Sequence, residues 1–533
     1  MPTGADAICR ALEDAGVEVV FGLPGVHNLP LWDALRRSPI RLVGVRHEQA
    51  AAYAADGYAR ATGRLGVALT TTGPGAANAL GAVGEAWASR SPILVIATDI
   101  PSTLRREGVY RGVLHETNGQ ADMFRPVVDA CCFGALEIDA ALAAVRQPPH
   151  RPVYLEVPTD ELTAEVEGRA RVFEFLADRS DEVGAAVELL AAAERPLVWV
   201  GSGGRDAGEA IGELARRLCA PVLTTYGARG VLPPDHPCQV CLPPHAEPAG
   251  ALWDEADLVV AIGSDFDGMN TQNWLQPQPP HVVAINLDRE DAGKNYRVDL
   301  TLVGDAAGVT AELAAGVEAR GGLDALSRRL HHLRAEACDG LNSRAMRFLD
   351  AVTFALPDDA VVIADMCIPG YWIGGYHPFH HPRKLLYPVG WGTLGFAFPA
   401  ALGAALAGTG PAVAVCGDGG FLFACGELAT VAQEQIPLTT VIVDDGGYGM
   451  LRYDQDVTGA DRYGVDLLTP DFVALAGAFG IRAQAVDGLD DAFGEALAAH
   501  VADPEPSMLV ARTPEPLVPP PNTSPNWYRR AHR

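Results

Sequence analysis

The sequence is short of positive charge: 40 Lys and Arg stand against 67 Asp and Glu, for a formal net charge of −27. Nucleic acids and anionic membrane surfaces need a basic footprint, so neither is an expected partner, and any anionic ligand must be held by local groups. A long apolar run is also missing. No stretch reaches the roughly 20 residues that span a bilayer, and "MPTGADAICRALEDAG" has no basic segment leading into an apolar one. A cytoplasmic protein is expected. Cysteine is sparse, at 10 in 533 residues, and Cys131, Cys132 and Cys416 sit among apolar neighbours, as small hydrophobes do in a reducing compartment. Cys238 and Cys241 form a C-x-x-C without a second pair. The histidines of "YHPFHHPRK" (His377, His380, His381) have no accompanying ligand set, and both features are read as structural. No repeat of solenoid period is present.

What is abundant is glycine, proline and apolar residues: 57 Gly, 40 Pro and 48% hydrophobic. This is the composition of a loop-punctuated globular protein, and a chain of 533 residues exceeds the roughly 250–300 that one core supports. Three series of β-rich runs alternate with helical patterns. The first contains "GVEVVFG", "IRLVGVR", "LGVALTTT" and "PILVIAT". The second contains "PLVWVGSGG", "APVLTTYG", "ADLVVAIGSD" and "HVVAINLD", and the third "AVVIADMC", "PAVAVCGDGG", "LTTVIVDDGG" and "PSMLVAR". Such alternation predicts three α/β domains, each a mostly parallel doubly wound sheet flanked by helices. They are placed at residues 1–165, 185–320 and 345–520, with a linker near 163–185 and a Pro-rich tail, 521–533, lying over the surface.

The most informative segment is "AVAVCGDGGFLFACGELATVAQEQIPLTTVIVDDGGYGMLR", residues 412–452. A strand ends at Cys416, Gly417, Gly419 and Gly420 let the backbone turn, and a helix is expected from near Phe421. Free backbone N–H groups would then point above the strand ends, a place for a diphosphate. Asp418 in the turn and Asp445 at the end of the next strand would lie side by side in the ligand crevice of a parallel sheet. With a loop carbonyl, assigned to Gly447, they suit Mg²⁺.

This segment resembles the metal and diphosphate motif of thiamine diphosphate enzymes, closest to the acetolactate synthase and 2-oxo acid decarboxylase branch. "GLPG", "RHEQAAAYAADGYARATG", "TTGPGAANAL" and "GWGTLGFAFPAALGAALA" have counterparts there in the same order. The resemblance implies a pyrimidine-binding, a central and a diphosphate-binding domain, thiamine diphosphate and Mg²⁺ as cofactors, and a 2-oxo acid substrate. It also implies a homodimer or homotetramer with active sites between subunits. Glu48 is expected to contact the N1′ atom of the cofactor's aminopyrimidine, a task for a carboxyl group in a dry pocket. By the same carry-over Gly392 holds the 4′-amino side, Leu394 bends the cofactor, and Met450, Gly25, Gly73 and Asn78 lie near it.

The chain departs from the pattern in ways that bear on substrate. Asp444-Asp445 replaces Asn-Asn and adds negative charge beside a diphosphate. His115-Glu116 stands where acetolactate synthases carry Phe-Gln, Met269 where they carry Arg, and Asp454 where they carry Trp. Loss of the Arg and Trp moves the expectation from acetolactate synthesis to decarboxylation, or to carboligation with another acceptor. His115 and Glu116 are expected as a polar catalytic pair, and Glu116 with Asp454 hints at a basic or multiply hydroxylated substrate tail. Arg205 in "VGSGGRDAGEA" matches an arginine of FAD-binding relatives while Asp265 replaces another, so FAD is an open alternative. Two other readings stay open: a non-decarboxylating carbon–carbon lyase or carboligase, and a catalytically silent cofactor-binding paralogue acting as a regulatory subunit.

Overall fold

The computed structural model describes residues 1–106, 108–167 and 182–530, so most of the expected linker lies outside the described residues. Three parallel sheets follow one another along the chain. The first holds β1 (Val19–Gly22), β2 (Arg41–Gly44), β3 (Gly66–Thr70), β4 (Ile93–Asp99), β5 (Ala130–Phe133) and β6 (Val153–Pro158), in the order β2-β1-β3-β4-β6-β5. The second holds β7 (Pro196–Val200), β8 (Val222–Thr224), β9 (Leu258–Ile262), β10 (His281–Asn286) and β11 (Leu300–Val303), in the order β11-β10-β9-β7-β8. The third holds β12 (Val361–Ala364), β13 (Leu385–Leu386), β14 (Ala412–Gly417), β15 (Leu438–Asp444), β16 (Arg482–Asp487) and β17 (Ser507–Arg512), in the order β13-β12-β14-β15-β17-β16. Residues of β3, β4 and β7 are buried along their whole length. Helices cover both faces of such sheets, which is why these strands read as unbroken apolar runs rather than alternations.

Two local expectations are corrected. The helix after Cys416 begins at Asp418, not near Phe421, and lasts one turn to Phe421; a longer helix starts only at Leu428. Gly419 and Gly420 are weak helix formers, so a single turn is all this segment sustains. The described part of the tail, 521–530, is also packed into the protein rather than laid over its surface. Trp527 is buried and Arg529 donates to Asp254 at 2.8 Å; just before the tail, Leu517 is buried and Trp372 Nε1 donates to the Val518 carbonyl at 2.8 Å. No helix among the described residues is long and apolar enough to cross a membrane.

The first and third domains meet through two helices, Glu48–Thr62 and Ala397–Leu406, that occupy the same place in the two chain traces. A Cβ at Gly57 would lie 1.9 Å from the Ala400 carbonyl oxygen, and one at Gly403 1.8 Å from that of Ala54. Only glycine permits this approach. Beside it Arg60 is buried in a bidentate pair with Asp56, at 2.8 and 2.6 Å, and reaches Glu85 at 3.2 Å and the Tyr387 carbonyl at 3.1 Å. Each charge at this joint has a partner, the condition for burying them.

Candidate active site

The first domain gathers one group of the expected residues. His47 caps the helix that begins at Glu48, and the Glu48 side chain is buried, only 6% exposed. Its Oε2 accepts from Asn78 Nδ2 at 3.0 Å. A Cβ at Gly75 would lie 3.1 Å from Glu48 Oε1 and 2.6 Å from Thr71, and a Cβ at Gly25 would lie 2.5 Å from the Thr71 hydroxyl. Glu48, Asn78, Gly25 and Gly75 therefore surround one spot, with one carboxylate oxygen of Glu48 held and the other facing glycine. Gly73 has a left-handed backbone (φ +62°), and His115 rests on it: a Cβ there would lie 2.6 Å from the His115 carbonyl oxygen.

His115 forms an edge-to-face pair with His27, ring centroids 5.4 Å apart, and His27 Nδ1 bonds the Thr72 hydroxyl at 2.8 Å. Burial first, and then the neighbouring His115, hold His27 below the usual histidine range. Glu116 is directed otherwise: its Oε2 accepts the backbone N–H groups of Arg111 and Val113, both at 2.9 Å, and so closes its own loop.

The third domain gathers the remainder. β14 and β15 are adjacent, with Gly417 opposite Val443, so Asp418 and the Asp444-Asp445 pair leave the sheet side by side. Asp418 Oδ1 accepts the N–H of Gly419 at 2.7 Å, whereas Oδ2 is buried without a partner. Burial, and then the charge of Asp445, push the Asp418 carboxyl up to about 7; burial likewise pushes Asp445 up to about 6. Arg452 answers the added charge of Asp445, donating to its carboxylate at 3.2 Å and its carbonyl at 2.8 Å.

Close approaches explain the glycines here. A Cβ at Gly419 would meet the Tyr448 ring at 2.6 Å, at Gly420 Asp365 Oδ2 at 2.4 Å, and at Gly447 the Val465 carbonyl at 2.1 Å. The Gly447 carbonyl accepts from Gly449 N–H at 3.1 Å. Gly392 (φ +70°) lies beside Met366, Leu394 comes close to Gly420, and Met450 is half-buried against the core cluster that includes Ile368.

An unpartnered buried carboxylate oxygen, a second acid beside it and a crowded glycine turn form a set of hard oxygen donors and small residues that fits Mg²⁺ and a diphosphate. Among the described residues no three His, Cys, Asp or Glu form a metal cluster. Such a set fits an ion that completes its shell with ligand oxygens and water.

Three acids not singled out from the sequence position these groups. Buried Glu427 in the third domain accepts the backbone N–H of Arg46 at 2.9 Å and of His47 at 3.0 Å, pinning the start of the Glu48 helix. Asp365 accepts from Gly395 and Phe396, and Glu85 from Trp391, which fixes the loop carrying Gly392 and Leu394. Burial pushes Asp365 up to about 6.

Comparison with known proteins decides the family. Residues 2–123 match the N-terminal thiamine pyrophosphate-binding domain of thiamine pyrophosphate enzymes, 183–313 the central domain, and 367–511 the C-terminal binding domain. The chain belongs to the thiamine pyrophosphate enzyme family. It is 35% identical to the probable 2-ketoarginine decarboxylase AruI of Pseudomonas aeruginosa over 515 residues, covering 92% of this chain and 90% of that protein. It is 33% identical to an acetolactate synthase of Mycobacterium bovis, covering 93% and 86%. With a probable acetolactate synthase large subunit of Methanocaldococcus jannaschii it shares 30%, covering 95% and 91%. As a thiamine pyrophosphate enzyme, the chain takes thiamine diphosphate at the two binding domains that carry the residues above.

Proposed function

We propose that the protein is a thiamine diphosphate- and Mg²⁺-dependent enzyme that decarboxylates a 2-oxo acid, with Asp418, Asp445 and Gly447 holding the metal. The observation that carries this is Glu48: a buried acid with one oxygen fixed by Asn78 and the other facing glycine. When bound, thiamine diphosphate supplies an electron sink for the carbon that loses CO₂. Glu48 holds and releases a proton at its free oxygen, Asn78 orients it, and Glu427 fixes its helix. Leu394 and Met450 shape the pocket, and the His27–His115 pair serves proton exchange at its mouth.

Decarboxylation is favoured over acetolactate synthesis because Met269 packs against an aromatic cluster of Tyr226 and Tyr387, offering no cation for a second 2-oxo acid. The similarity to a 2-ketoarginine decarboxylase supports a 2-oxo acid with a basic tail. A homodimer is supported by large apolar side chains exposed next to both groups of site residues: Val26 and Leu114 in the first domain, and Trp391, Phe423 and Leu451 in the third. Such exposure marks an interaction surface. The ten free cysteines support a reducing, cytoplasmic location.

For the central domain, FAD is the alternative ligand. A cavity of about 530 Å³ is lined there by half-buried Arg205, whose Nε donates to the Ser202 carbonyl. In the adjoining cavity Asp265 already engages Arg90 at 2.9 Å and Lys294 at 2.7 Å, so these cations would not be free for a flavin's phosphates. Visible absorbance of the purified protein decides it.

The test is incubation with thiamine diphosphate, Mg²⁺ and a panel of 2-oxo acids, followed by proton NMR. Aldehyde or acyloin from any member, lost in Glu48→Gln, supports the reading. No turnover with cofactor bound overturns it in favour of a non-decarboxylating lyase or a silent paralogue.

A further inference from the structure

Between the central domain, the third domain and the tail lies a cavity of about 210 Å³. This is room for a small organic group rather than a single water. Its walls carry four phenols, Tyr226, Tyr371, Tyr376 and Tyr387, with Met269 and Met366, and no Lys or Arg is among its lining residues. Pro520, together with Thr523 and Ser524 of the tail, roofs it. The tyrosine faces are held in place: Tyr226 and Tyr387 pack with ring centroids 5.4 Å apart, and the Tyr226 hydroxyl bonds His245 Nε2 at 2.8 Å.

One wall of the cavity adjoins the chemistry. Met366, one of its walls, has its Cε 3.5 Å from where a Gly392 Cβ would stand, and the next residue, Cys367, lies 3.3 Å from a Cβ placed at Gly417. A substrate tail in the cavity is thus separated from Gly392 by the Met366 side chain, and the acidic turn lies behind the next residue, Cys367.

Charge around the walls is mostly negative. Asp267 acts electrostatically on Tyr226, and Asp365 and Asp454 act on Tyr371. Burial raises the Asp454 carboxyl, and the side chain of Asn526, two residues beyond the roof at Ser524, acts against that rise. The buried guanidinium of Arg229 also acts on Tyr226 and Tyr376, but it donates to the carbonyls of Gly375 and His377 and does not line this cavity. Aromatic faces attract a planar, weakly hydrated cation, and phenol oxygens accept its N–H groups.

We propose that this tyrosine-walled cavity binds the guanidinium tail of the 2-oxo acid substrate, with Tyr371 and Tyr376 as its cation-binding walls and Asp454 steadying the charge from beyond Tyr371. This rests on the 2-oxo acid decarboxylase reading above and adds the residues that select the substrate.

The test separates binding from turnover. γ-Guanidinobutyrate and its neutral isostere γ-ureidobutyrate, neither a 2-oxo acid, are titrated calorimetrically into protein loaded with thiamine diphosphate and Mg²⁺. The corresponding guanidino and ureido 2-oxo acids are assayed for kcat/KM. The guanidino member is expected to bind about tenfold more tightly, and Asp454→Asn and Tyr371→Leu each to cut that ratio severalfold, with the change in KM rather than kcat. Asp454 is only half-buried, so Asp454→Asn tests the idea even if Tyr371→Leu fails to fold. Equal binding of the two probes, or a ratio unmoved by Asp454→Asn, overturns the proposal even where the enzyme turns over other 2-oxo acids. No turnover of any 2-oxo acid with an intact binding ratio overturns the decarboxylase reading instead and supports the cavity's preference.

Discussion

In the first domain β3 leaves its sheet through Thr70, Thr71 and Thr72 into Gly73; in the third, β14, at the same place in an identical strand order, leaves through Gly417 into Asp418. One exit is uncharged, and its acid, Glu48, arrives from the helix that precedes β3. The other exit holds the acids itself. A lone carboxyl at a helix start can trade a proton with little electrostatic opposition, whereas two acids at neighbouring strand ends repel and are relieved by a cation. The same framework thus separates proton handling from charge holding, and the two tasks share a joint at Gly57 and Gly403.

The sharpest way to break this division is Glu48→Gln. It keeps the size of the side chain and the neutral surroundings but removes the exchangeable proton. Turnover is expected to fall by about 10²–10⁴, the usual worth of a positioned acid or base, while thiamine diphosphate and Mg²⁺ affinity, read by calorimetry, changes little. Asp418→Asn is expected to do the reverse, weakening metal and cofactor binding. If Glu48→Gln lost cofactor affinity instead, Glu48 would belong with the charge-holding acids.

Next in size is the joint. Gly403→Ala puts a methyl group 1.8 Å from the Ala54 carbonyl oxygen. Overpacking of this kind costs typically about 1–3 kcal/mol, and more where backbone is the obstacle. A lower melting temperature is expected, checked by calorimetry against Gly459→Ala. Gly459 has open space around it, so its cost comes only from its left-handed φ of +71°.

Glu427 carries the comparison into the sequence. The apolar strands, the G-D-G turn and the acid at the helix start were legible because each is a local pattern. β5 and β6 were not, since "ACCF" and "VYLEVP" are too short or too mixed to stand out among Pro and Arg, and the two-residue β13 gives no period at all. Glu427 was illegible for a different reason: in "CGELAT" it looks like an acid on a solvated helix, and its partners, Arg46 and His47, lie 381 and 380 residues away. Arg452 likewise carries no sign in the sequence that it neutralises Asp445. Long-range partners of this kind are set by how domains dock. For Glu427→Gln, which loses the charge on hydrogen bonds worth about 1.5–3 kcal/mol, kcat is expected to fall about tenfold with KM little changed. A change in stability alone would make Glu427 a structural clamp only.

The smallest effect expected is one of pH. Asp418 and Asp445 sit at about 7 and about 6, above the ordinary carboxylate value of 3.8, because they are buried together. Between that ordinary value and about 7 the folded protein binds more protons than the unfolded chain, so stability falls as pH rises through this window. Mg²⁺ competes with those protons and should bind better as they leave. Added Mg²⁺ with thiamine diphosphate is therefore expected to raise the melting temperature more at pH 8 than at pH 5, and Asp418→Asn to remove most of the difference. An equal rise at both pH values would mean that the third-domain acids are not the cation's ligands, and the contrast between the two strand exits would lose its physical basis.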